Sequence, residues 1–110
     1  MSRPYTFYIN GQMYSIYKVM DGDRKLQVDG VEHLGVIDFT QNTIYLNWEI
    51  SPDIRDRILL HELTHAVINS CGMQARDTFT QEDVCEIMAH HADNICEIKD
   101  SFWGWCRNEK

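Results

Sequence analysis

Residues 51–70 read SPDIRDRILLHELTHAVINS, and this stretch decides the fold. Ser51 is suited to cap free amide groups, Pro52 fits the first position of a helix, and Asp53 favours the positive end of its dipole. Ile54, Ile58, Leu59, Leu63, Ala66 and Val67 then recur as a broad apolar arc, and Gly72 is placed to end the run. The spacing predicts a core-packed helix from Pro52 to about Ser70.

Within that helix stands His61-Glu62-Leu63-Thr64-His65. Each helical residue advances about 100°, so His61 and His65 share one face, one turn apart, and can grip a single ion. Two neutral imidazoles suit Zn²⁺, and a site with three protein ligands keeps a position open for water. Glu62 is not itself a ligand in this arrangement. It is the candidate catalytic base that takes a proton from that water.

Upstream, apolar and polar residues alternate from Tyr5 to Val19 around Asn10-Gly11, a hairpin signal. Strands are expected at about 5–9 and 12–20. After Asp21-Gly22-Asp23 and a polar segment with Asp29-Gly30, a second hairpin is expected from Leu34 to Thr40 and Thr43 to Trp48, turning at Gln41-Asn42. Downstream, Met73 to Phe79 reads as a loop. Thr80 and Asp83 form a capping arrangement for a second helix from about Gln81 to Lys99. The tail Ser101-Phe102-Trp103-Gly104-Trp105-Cys106 reads as a lid over the core, with self-association as the other reading. The result is a single domain over residues 1–110, of α+β class: a small antiparallel sheet of about four strands followed by two packed helices.

A third metal ligand must come from elsewhere, and the second helix offers Glu82, Glu86, His90, His91 and Asp93. With Glu82 as origin, Cys85, Met88, Ala89, Ala92 and Cys96 fall in an arc of about 240–340° that would let two helices approach closely. Glu82 borders this arc and is the preferred ligand; Glu86 lies farther round and His91 points to the opposite edge. Glu82, Glu86, His90, Asp93 and Glu97 also form one polar stripe of the kind a solvated helix face shows. If that stripe turns toward the metal, Glu86 can support a ligand histidine, or replace Glu82.

Composition narrows the partners. The chain of 110 residues is 44% hydrophobic and 25% charged, as ordinary globular proteins are. A net charge of -7 disfavours nucleic acid, whose binding rests on Lys and Arg. No stretch approaches 18 consecutive apolar residues, so neither a membrane span nor a secretion signal is expected. Cys71, Cys85, Cys96 and Cys106 lack paired spacings, which argues for reduced thiols in a cytoplasm rather than disulfides or a zinc finger.

The chain resembles small gluzincin-like metallopeptidases of phages and mobile elements, akin to the ImmA/IrrE family of zinc peptidases. The likeness runs from the hairpin at Asn10-Gly11 through residues 35–40 (GVIDFT) and 43–47 (TIYLN), Ser51-Pro52 and HELTH, to residues 82–89 (EDVCEIMA). It departs from the common pattern at His91, where glycine is frequent, and at Cys85. The resemblance implies a minimal zincin-like fold that hydrolyses peptide bonds in a peptide or protein substrate. It implies Zn²⁺ held by His61, His65 and Glu82, with Glu62 as base and Glu86 behind a ligand. It also implies a sheet edge that holds substrate in extended form. An oxyanion donor is expected among Tyr45, His90 and His91. The alternative is a regulatory module that keeps the zinc site with little or no catalysis.

Overall fold

Asn10 and Gly11 both take positive φ, 50° and 80°, which is the backbone a tight two-residue hairpin requires. In the computed structural model, which describes residues 3–72 and 79–108, this turn joins β1 (Tyr5–Ile9) to β2 (Gln12–Val19). A short 3-10 turn at Arg24–Leu26 follows, then a two-stranded ribbon of β3 (Gln27–Val28) and β4 (Val31–Glu32). The chain continues through β5 (Gly35–Asp38) and β6 (Thr43–Asn47) to α1 (Pro52–Ser70) and α2 (Gln81–Asn108). The class is α+β, with the sheet preceding the helices.

The sheet is mixed rather than wholly antiparallel. Its order is β1-β2-β6-β5, with both hairpins antiparallel but β2 and β6 parallel, Ile16 opposite Ile44 and Tyr17 opposite Tyr45. The reason lies in β6. All five of its residues are buried, so it belongs in the middle of the sheet, with β5 on one side and β2 on the other. Ile44 and Leu46 face the helices within the main core, while Tyr45 faces the opposite side, against Val19 and Leu26.

Helix α1 matches its expected bounds. Ser51 contributes through its backbone, its carbonyl accepting from Arg55 N at 2.9 Å, whereas its side chain makes no capping bond. Gly72, at φ 73°, follows the helix end as expected. Leu59, Leu63, Ala66 and Val67 are fully buried, but Ile54 is exposed. The capping arrangement of α2 is reciprocal: Asp83 N donates to Thr80 Oγ1 at 3.1 Å and Thr80 N to Asp83 Oδ2 at 2.9 Å. Of the expected loop from Met73 to Phe79, residues 73–78 lie outside the described part.

Two expectations for α2 need correction. The helix does not stop near Lys99 but continues to Asn108, carrying the aromatic tail as helix. Its buried residues are Ile87, Ile95, Ile98 and Phe102, with His91 half-buried between them. With Glu82 as origin these five lie within about 40° of 180°, so the helix is turned by about 110°, roughly a third of a turn, from the expected packing. Cys85, Met88, Ala89 and Cys96 are consequently exposed. The branched and aromatic residues remove more apolar area from water than the small ones would, and they set the rotation.

The tail does close over the core. Phe102 has no exposed surface and meets the rings of Tyr5, Trp48, Trp103 and Trp105 at centroid distances of 5.0–6.2 Å. Asp56 ties the start of α1 to the end of α2, accepting from Trp103 Nε1 at 2.9 Å and pairing with Lys99 at 3.2 Å. All four cysteines are free. Among the described residues no helix is long and apolar enough to cross a membrane.

Candidate metal centre

Burial of the α1 arc against the sheet fixes the roll of the helix, and that roll sends His61 and His65 outward while Glu62 turns in. The ring nitrogens His61 Nε2 and His65 Nε2 stand 3.2 Å apart. Two nitrogens bound at about 2.0–2.1 Å to one tetrahedral ion are separated by about 3.3–3.4 Å, so the pair is already spaced as two ligands would be. Both rings are exposed, whereas the Glu62 side chain is buried. Donor atoms of His61, Glu62 and His65 all lie within 4.8 Å of one another, a group that can hold a metal ion. The imidazoles open on a shallow groove of about 300 Å³ that is also lined by Arg57, Leu60, Thr64 and Ile68.

The electrostatics suit that chemistry. Burial raises the proton affinity of Glu62 above the ordinary carboxylate value, opposed by the nearby His61 and His33. Burial, and then the neighbouring His61, lower the pKa of His65 and keep its lone pair available near neutral pH.

Strand β5 is one of the two edge strands of the sheet, and it crosses α1 at Gly35. A Cβ at this position would stand 2.5 Å from Ile58 Cγ2 and 3.3 Å from Glu62 Oε2, so glycine permits the close approach. Gly35→Val is expected to lower stability by about 1–3 kcal/mol through overpacking and to displace Glu62, with Gly35→Ala intermediate. Denaturant midpoints of the three proteins check the order.

The structure does not bring Glu82 to the imidazoles. It is exposed in the first turn of α2, opposite that helix's buried stripe, and is absent from the metal-capable group. The helices run antiparallel, with His91 Nε2 3.5 Å from Cys71 Sγ at the end of α1, so Glu82 lies two turns beyond that end of α1. Glu86 pairs with His90 at 3.1 Å on the exposed face. Nor do the three expected oxyanion donors converge on the site. Tyr45 stacks on Tyr17 across the sheet, His90 is held by Glu86, and His91 meets Cys71. His33 and Gly35 are the neighbours that sequence reasoning missed. An isolated glycine at the start of a strand was the available signal for Gly35; His33 had none.

A larger cleft of about 690 Å³ lies at the other end of α1, between Trp48, Arg55, Trp103 and Arg107, and contains no residue of the His-Glu-His group. Its walls are filled by stacking, with the Arg55 guanidinium 4.0 Å from the Trp48 ring centroid.

Compared with known protein families, curated proteins and solved structures, the chain matches none.

Proposed function

We propose that this chain is a small zinc-dependent hydrolase of peptide bonds, with His61 and His65 as metal ligands and Glu62 as catalytic base. The observation that carries the reading is the pair of ring nitrogens 3.2 Å apart with a buried carboxylate beside them. A zinc ion bound there would supply a Lewis acid that polarises a carbonyl and lowers the pKa of a bound water to about 7. Glu62 would be the group that takes a proton from the attacking water and hands it to the leaving amine. Its burial raises its proton affinity above that of an ordinary carboxylate, which strengthens it as a base. An extended polypeptide is the substrate class that fits, because β5 is an outermost strand and passes directly over Glu62 at Gly35. The resemblance to small phage and mobile-element peptidases points the same way.

The rival reading is a zinc-binding regulatory module with little catalysis, and the shallow groove favours it. The test is cleavage of an unfolded polypeptide by zinc-loaded protein. Metal-dependent cleavage that Glu62→Gln abolishes supports hydrolysis; tight zinc binding without cleavage supports the module.

A further inference from the structure

The His61 and His65 pair needs a third protein donor if it is to hold a metal in an open catalytic geometry. Its position on α1 restricts where that donor comes from. With Leu59 as origin, His61 and His65 lie at about 200° and 240° round the helix, while Ile58 and Glu62, beneath β5, lie at about 260° and 300°. Asp56 and Cys71, which meet α2, lie at about 60° and 120°. The imidazoles are thus about 60° from the row that β5 covers and about 130° from the row that α2 covers, with Thr64 and Ile68 intervening on the α2 side.

On the β5 side one imidazole is available. His33 lies between β4 and β5, two residues before the Gly35 that rests on Glu62, and like Glu82 it stands outside the group of donor atoms within 4.8 Å of one another. Its backbone is anchored: His33 N donates to Leu26 O at 2.8 Å, and the next carbonyl, of Leu34, accepts from Asn47 N at 3.0 Å. Its side chain is exposed and makes no hydrogen bond or ion pair among the described residues. Other donors are engaged elsewhere, Glu32 with Gly22 N, Asp56 with Lys99 and Trp103, and Glu86 with His90.

We propose that His33 is the third protein ligand, so that the centre is built from three imidazoles, two on α1 and one from the turn that leads into edge strand β5. The inference rests on the metal-site reading above. It assigns the turn before β5 a metal-binding role, and it takes the third ligand from the sheet side rather than from Glu82 of the second helix.

The experiment is zinc competition against a chromophoric chelator, together with Co²⁺ absorption, on the wild type, His33→Ala, His33→Cys and Glu82→Gln. Loss of a ligand is expected to weaken zinc about 100-fold or more in His33→Ala, while Glu82→Gln stays within about threefold of the wild type. His33→Cys keeps a donor and should bind more tightly than His33→Ala, with a Co²⁺ spectrum shifted by sulfur coordination. Unchanged zinc affinity in His33→Ala overturns the proposal, as does a Glu82→Gln variant that loses the affinity His33→Ala retains. Wild-type protein that binds no zinc removes this inference and the proposed function together. A tight wild-type site that ignores His33 removes this inference alone.

Discussion

Glu62→Gln is expected to retain the metal and to lose hydrolysis by about 10²–10⁴-fold, the usual worth of a positioned general base. Glutamine keeps the size and the hydrogen-bonding shape of the side chain but cannot take up a proton. The same substitution has a second signature in metal-free protein. Burial raises the proton affinity of Glu62, so the fold favours its neutral form. That contribution is complete below the ordinary unfolded value of 4.5 and is lost as pH rises through the higher folded value. Metal-free Glu62→Gln should therefore melt above the wild type at pH 7, and the difference should shrink as pH falls through the raised folded value toward 4.5. Turnover and chelator-treated melting curves measured on one pair of proteins check both statements. A variant that cleaves at the wild-type rate would remove Glu62 from the mechanism.

Phe102→Ala is expected to cost about 3–5 kcal/mol, a large share of the roughly 5–15 kcal/mol by which domains of this kind are stable. The ring has no exposed surface and sits where three elements meet. It touches Tyr5 of β1 edge-on at 5.6 Å, Trp48 after β6 at 6.2 Å, and Trp103 and Trp105 of its own helix. Truncation leaves a void that this cluster cannot easily fill from the side of the sheet. At roughly 4–8 °C per kcal/mol, the melting temperature should fall by on the order of 12–40 °C. Cys96→Ser, on the exposed side of the same helix, should stay within about 0.5 kcal/mol of the wild type and serves as the control.

How far the sequence carried the fold can be traced through these residues. Asn10-Gly11, Pro52, Gly72 and the Thr80 and Asp83 pair each act on the backbone locally, and each was legible because no distant partner decides its role. The roll of α2 was not. Cys85, Ala89, Ala92 and Cys96 resemble a close helix contact only for a helix that ends near Lys99, without Phe102, and in which His91 faces water. Extending the helix to Asn108 adds Phe102 to Ile87, Ile95 and Ile98, and the stripe they form points away from Glu82. The parallel pairing of β2 with β6 was equally out of reach of local rules, since hairpin chemistry says nothing about which strands of two hairpins meet. Its one trace was the continuous burial-prone run of residues 43–47.

The candidate site divides in the same way. His61, Glu62 and His65 come together because a helix brings positions four apart to one face, and that geometry is local. Their surroundings are tertiary. Gly35 comes against Glu62 only because β5, an edge strand, crosses α1 at Ile58 and Glu62.

The most direct test of the metal centre is metal content per chain, measured on wild-type, His61→Ala and His65→Ala proteins dialysed against zinc and then freed of excess. About one zinc per wild-type chain, and almost none in either histidine variant, is the expected result for a site in which both imidazoles are ligands. A wild type that retains no zinc, or histidine variants that retain it at the wild-type level, would contradict the metal centre on which the proposed function stands.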